Sequence, residues 1–363
     1  MKMPKYRFAD IAINMTKKRK PTVDDMDTYI GLEHLDSGSL EVTRWGSQVP
    51  IKGDKLIMEK GDILFGKRNA YLKRAAIAPH DGLFSAHGMI LRPNEEVISP
   101  KLFPFFICSD YFFDAAIRIS VGSLSPTINW SALKDLEFTL PDMEEQEKLA
   151  ELLWAANDTK EAYKKLFNLT DKIVKAQFVK MFGDPVDNTL GLPIKYLPDI
   201  SANLDNRRVP ITSGNRQSGE YPYYGASGIV DYVKDYIFDE DVLLISEDGA
   251  NLVARVTPIA FPVRGKCWIN NHAHIVKFKD CETQCYVEYL LNMIDLTEYI
   301  TGTAQPKLSQ RNMNRIPIPY PEVSKQKEFY LFVTQNDKSK FELQKNINNL
   351  DKTIKALMSK NFG

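Results

Sequence analysis

After Pro141 the chain carries neither proline nor glycine until Gly183, and polar and apolar residues alternate there with helical rather than strand periodicity. Asp142 is a good N-cap and Glu145 follows three residues later, the spacing of a capping box. About forty helical residues rising about 1.5 Å each make a rod of about 60 Å. A second stretch repeats the pattern near the end of the chain. There Leu343, Ile347, Leu350, Ile354 and Leu357 step by four and three, which is a coiled-coil seam. The corresponding first-stretch positions include Tyr163, Phe167 and Val174, with Leu166, Leu169 and Ile173 beside them. Neither apolar stripe is expected to stay exposed, and each is the natural partner of the other. Connectivity makes the pair antiparallel and brings the two chain ends near each other. The spacing predicts long helices over 142–184 and 322–363.

The segments ahead of these helices have a different texture. "GDILFG", "DVLLIS", "GMILRP" and "HAHIVKF" are short runs rich in branched residues and read as strands. "SPKLFPFFICSDYFFDAAIRI" and "CETQCYVEYLLNMIDLTEYI" read as helices with an apolar face. Residues 1–141 and 185–321 are therefore expected to be two α/β globules, giving an α+β chain in which globules and long helices alternate.

The alternation is a duplication. "GSLSPTINWSALKDLEFTLPDMEEQ" begins at Gly122 and "GTAQPKLSQRNMNRIPIPYPEVSKQ" at Gly302, with Gly122/Gly302, Pro126/Pro306, Pro141/Pro321 and Gln146/Gln326 in register. Asp171, Lys172, Lys175, Ala176, Lys180, Phe182 and Gly183 match Asp351, Lys352, Lys355, Ala356, Lys360, Phe362 and Gly363 without a gap. Upstream the echo fades, as in "FADI" against "LPDI". So long a period means two domains related by pseudo-two-fold symmetry, not a solenoid.

Composition narrows the class. The chain has 363 residues, 44% hydrophobic and 26% charged, which suits a soluble protein of two to three domains. No apolar run is long enough to span a bilayer, and the start lacks the apolar core of a signal peptide, so no membrane partner is expected. Four cysteines favour a reducing cytoplasm over a disulfide framework. Formal net charge is zero, which hides cationic clusters at 17–20, 67–74, 207–216 and 302–315. A single such cluster is ordinarily a solvated face; several in related domains point toward phosphate contact.

The ordered duplication resembles the specificity subunit of type I restriction–modification systems. It is carried by the Gly-x-x-x-Pro stretch, the Pro-x-x-x-x-Gln that opens a long helix and the "KxxFG" close. "YPYYGASGIVDYV" and "INNHAHIVKF" look like one class of target recognition domain. The resemblance implies two recognition domains, each reading half of a split, asymmetric sequence in double-stranded DNA, and two conserved helices acting as a ruler. It also implies two methyltransferase subunits docked on those helices, motor-nuclease subunits joining them, and no chemistry in this chain. A ruler of this kind tolerates insertions in the plain stretch around Asn157–Lys160, which would change half-site spacing only.

Other chemistry fits less well. "GDILFGKR" approaches a phosphate loop, but Arg68 stands where a Mg²⁺-binding hydroxyl is needed. His272, His274, Cys281 and Cys285 match no strong zinc spacing; the histidines are expected on one strand face and the cysteines at a helix start. Asp241, Glu247 and Asp248 lack the nearby lysine of a metal nuclease. No cofactor, metal or catalytic residue is expected. The candidate DNA contacts are Lys17, Lys18, Arg19, Arg44, Lys67, Arg68, Lys73 and Arg74 in the first copy. In the second they are Arg207, Arg208, Arg216, Arg255, Lys307 and Arg311. These are side chains able to hold phosphate oxygens or, for arginine, guanine edges. Tyr223 and Tyr224 either pack on sugars or serve the core. A helical adaptor that never touches DNA, and the reader part of a fused methyltransferase–nuclease, are the alternatives.

Overall fold

The structure is a computed structural model and describes residues 3–362. The last matched glycine of the echo, Gly363, and the chain ends expected to meet lie outside them. The chain divides into two compact units, one of residues 1–164 with 344–363 and one of residues 165–343.

Each unit is built around a four-stranded antiparallel sheet with the same order. In the first unit it runs Ala12–Met15, Met89–Pro93, Ile63–Phe65, Ala75–Ile77. In the second it runs Ser201–Asn203, Ala273–Phe278, Val242–Ser246, Ala260–Val263. The central strands are apolar at nearly every position because both faces are covered. Side chains alternate between faces, so Ile63 and Phe65 enter a helix-side core while Leu64 enters a second core. Leu243 and Ile245 divide from Val242 and Leu244 in the same way. The second core lies against another sheet. In the first unit this is Lys18–Arg19, Lys55–Met58 and Gly82–Phe84. In the second it has four strands, with Ser218–Gly225 parallel to Lys266–Ile269.

The segment expected as one helix over 99–119 is two, Phe103–Cys108 and Asp110–Arg118. Ser109 takes an extended conformation, and its Oγ accepts from Phe112 N while donating to the Phe106 carbonyl. A local side-chain bond thus wins over helix continuation.

The long helices are Met143–Phe182 and Val323–Phe362, 40 residues each. Asp142 Oδ1 accepts from Glu145 N at 2.9 Å. Gln146 Nε2 donates to the Pro141 carbonyl at 3.0 Å, and Gln326 Nε2 does the same to Pro321 at 2.8 Å. Both glutamines are buried. The repeated Pro-x-x-x-x-Gln is therefore a clasp that satisfies a carbonyl at the point where strand becomes helix.

Within the first unit the start of one long helix (Leu149, Ala150, Leu153) shares a core with the end of the other (Met358, Phe362). Within the second, Phe178 and Phe182 share a core with Phe329 and Val333. Start against end means the helices run antiparallel. The echoed closing phenylalanines each plug a unit: Phe362 stacks on Tyr111, and Phe182 meets Tyr286 edge-on at 4.9 Å. The echo extends to ion pairs, Lys160–Asp351 at 3.1 Å in the first unit and Lys340–Asp171 at 2.7 Å in the second. Each partner of one pair is 180 residues from its counterpart in the other.

Of the expected seam residues, Val174 and Ile347 are buried, and Tyr163, Phe167, Leu343, Leu350, Ile354 and Leu357 are half-buried. Two expectations need correction. Leu166, Leu169 and Ile173 are 49%, 47% and 51% exposed; two helices cover only the stripe that faces the partner, and these lie one stripe over. Asn157 and Lys160 are not a plain stretch, since both are buried in the seam.

Candidate nucleic-acid interface

The echoed glycines make the turn that the spacing requires, with φ of 109° at Gly122 and 85° at Gly302. A Cβ on Gly302 would stand 2.6 Å from the Gln305 carbonyl oxygen, so the turn excludes side chains twice over. The loop that follows pairs with the end of a central strand. In the first unit Ile128 N donates to the Lys67 carbonyl, Thr127 bridges to Arg68, and Ala70 N donates to the Pro126 carbonyl. In the second, Leu308 N donates to Glu247, Lys307 bridges to Asp248, and Gly249 N donates to Pro306. One backbone joint is built twice, nearly residue for residue.

Its side chains differ. In the first unit Lys67 is half-buried and Arg68 exposed. Partial burial, then the like charge of Lys18, lowers the Lys67 ammonium below the ordinary lysine value. Arg68 Nε donates to Ser125 Oγ at 3.2 Å. Lys17 and Lys18 are exposed, Lys18 on the short edge strand. These four form the cationic group of the first unit, and among the described residues none of them is in an ion pair. The other candidates there have internal work. Arg19 makes a two-pronged pair with Asp25, and Arg44 another with Asp36. Lys73 bridges Asp110 and Asp114, and Arg74 donates to the Leu32 carbonyl.

In the second unit acids dominate the joint. Glu247 receives Arg208 at 2.6 Å and Lys307 at 3.1 Å, with His274 at 3.7 Å. His274 is buried; its Nε2–H donates to the Leu308 carbonyl and Nδ1 meets Asp205 at 2.6 Å. Burial pushes the Glu247 carboxyl up, but the hydrogen bonds from Arg208 and Lys307 outweigh it and hold the group below the usual glutamate value. Asp248 takes His272 at 2.9 Å. Arg207 pairs with Glu240, and Arg216 with Asp231 while lying over the Tyr223 ring at 4.3 Å. Tyr223 is a core residue and Tyr224 packs on Phe261. Arg255 donates to the Leu291 and Ile294 carbonyls, closing a helix end. Arg311 is exposed on the short helix Gln310–Met313.

Asp205, Glu240 and Glu247 lie 33 to 70 residues from most of the groups they meet, so local sequence does not mark them as partners of these cations. Only the sheet brings them together. Asp205, Glu247 and His274 offer ligand atoms within 4.8 Å of one another. Arg208 and Lys307 already neutralise that cluster, and both His274 nitrogens are engaged, so it is an ion-pair hub rather than a cation cage. His272 lies just before the strand Ala273–Phe278, not on its face with His274. Cys285 is buried, and burial pushes its thiol far above the range in which a thiolate ligand forms readily. Ile63–Phe65 is a buried strand, unlike a phosphate cradle. No helix among the described residues is long and apolar enough to cross a membrane.

Comparison with known proteins adds the family. A "Putative type I restriction enzyme specificity subunit" from Haemophilus influenzae is 35% identical over 37% of this chain, a match spanning about a third (34%) of that protein. The type I restriction enzyme MjaIX specificity subunit from Methanocaldococcus jannaschii is 25% identical over 84% of this chain and 77% of its own. The crystal structure of a type I restriction-modification S subunit from M. genitalium superposes with a TM-score of 0.62 at 16% identity, covering 99% of this chain and 96% of that one, a likeness of fold. The profile of the type I restriction modification DNA specificity domain matches twice, over residues 12–168 and 196–351. Each match spans one four-stranded sheet and the greater part of the long helix that follows it, and together they take in most of the chain, which therefore belongs to the type I restriction–modification DNA specificity family.

Proposed function

We propose that the chain is the non-catalytic DNA-reading subunit of a methylation and restriction complex. Each unit reads one half of a split, asymmetric sequence in double-stranded DNA. The observation that carries this reading is the double family match over two units that share a sheet order and a joint but not their surface charges. Equal backbones with unequal surfaces suit two different half-sites. The domain limits proposed are 1–141 and 185–321 for the readers and 142–184 and 322–363 for the helices. The half-exposed Leu166, Leu169 and Ile173 supply an apolar helix face of the kind a methyltransferase subunit would cover. Motor-nuclease subunits would join through that complex.

Of the candidate contacts, Lys17, Lys18, Lys67, Arg68 and Arg311 are in no ion pair among the described residues, and with Lys307, which stands at the joint and is held by Glu247, they are the proposed phosphate or base contacts. Arg74 and Arg255 are spent on carbonyls and are proposed as structural.

The test is to combine the chain with its methyltransferase partner and map methylated positions across a genome. The expected result is one split, asymmetric motif with fixed spacing. Methylation without a motif overturns the reading, and methyl transfer by the purified chain alone would favour the fused-enzyme alternative.

A further inference from the structure

The joint has the same backbone in both units and the opposite charge. Lys67 and Arg68 in the first stand where Glu247 and Asp248 stand in the second, and Thr127 stands where Lys307 stands. A cation is present at the joint in both, delivered from opposite sides of the same two-residue ladder. What differs is restraint. Lys67 and Arg68 are in no ion pair among the described residues. Lys307 is 52% exposed, yet its ammonium rests on Glu247, which is 12% exposed and also takes Arg208.

A phosphate approaching the second joint must therefore compete with a carboxylate for Lys307. Charge-assisted bonds to carboxylate and to phosphate are of similar strength. The exchange is close to neutral for a generic duplex and favourable only where other contacts seat the DNA. At the first joint no such exchange is needed, and any phosphate is attracted.

We propose that the joint contacts the DNA backbone in each unit and that Glu247 is a positioning residue that restrains Lys307. The second contact is thereby selective, while the first, at Lys67 and Arg68, is general. This rests on the DNA-reading function proposed above.

The experiment uses the full chain with its methyltransferase partner. It measures binding to a duplex carrying the mapped target and to one lacking it, across a salt series. Lys67→Gln is expected to weaken binding to both duplexes and make the salt slope shallower by about 0.9, one phosphate's worth. Glu247→Gln is expected to act in the opposite direction at the equivalent position. It should tighten binding to the target-free duplex roughly 3- to 10-fold and steepen the slope by about 0.9 as Lys307 is released. Folding is checked by the thermal midpoint. The double variant with Lys307→Gln should return target-free binding to the wild-type level.

A folded Glu247→Gln protein whose target-free binding is unchanged or weaker overturns the proposal. If Glu247→Gln fails to fold, Lys307→Gln decides alone: it should weaken binding to the target duplex and leave the target-free duplex unaffected, and equal binding to wild type on both overturns it. A wild-type complex that prefers neither duplex instead sinks the DNA-reading function, before any variant is compared.

Discussion

Single residues carry more of this fold than their number suggests. The two glycines that open the joint and the two glutamines that close it are legible as an echo, and their reasons are physical: positive φ at Gly122 and Gly302, and a clasped carbonyl at Gln146 and Gln326. Partly buried acids were less legible. Glu288 is pushed up to about 8 by burial first and then by the carboxylate of Asp337, with Arg264 opposing. The folded state thus holds a proton on Glu288 that the unfolded chain, near the ordinary glutamate value, gives up. Its contribution to stability is present in acid and is lost as pH rises from about 4.5 through about 8. Unfolding midpoints measured from pH 5 to 8 should therefore fall, and Glu288→Gln should flatten that fall. A wild-type profile that rises across the range and is unchanged in the variant would contradict the assignment.

At the scale of elements, the long helices were the most legible part of the chain because forty residues without proline or glycine leave little choice. Their seam was only partly legible. Periodicity picks out Leu343, Ile347, Leu350, Ile354 and Leu357, of which Ile347 is buried and the others half-buried. It does not show that Lys160 is inward too, with its side chain 6% exposed against Asp351 at 49%. Losing one partner of a buried pair costs about 3–5 kcal/mol, and the half-exposed Asp351 reduces that to roughly 1–3 kcal/mol. Asp351→Ala is therefore expected to lower stability by this much, and adding Lys160→Met should recover most of it. A double-mutant cycle in denaturant checks the coupling; strict additivity would mean that the pair does not interact.

For the whole molecule, the proposed ruler makes a length prediction that the seam refines. One inserted residue rotates the following helix by about 100° and would turn the seam out of register. Seven residues added at matched positions in both helices preserve it and add about 10 Å, close to three base pairs of duplex. Methylation mapping should then show the same two half-sites with a spacer longer by about three. Altered half-site sequences would argue against separate readers and ruler.

What the sequence determined by itself was the architecture: duplication, globule–helix alternation, antiparallel pairing and the family. Each of these is written in local spacing, in the register of an internal repeat, or in an ordered set of motifs. What only the tertiary structure decided was which cations are free. "TKKRK", "GKRNAYLKR" and "RRVPITSGNR" contain no acid, so they read as open cationic surface. Folding then brings Asp25 onto Arg19 through a short helical turn, the helix that carries Asp110 and Asp114 onto Lys73, and Glu247 onto Arg208 and Lys307. Charge compensation acts through space over a few ångströms, and a sequence records neighbours only along the chain.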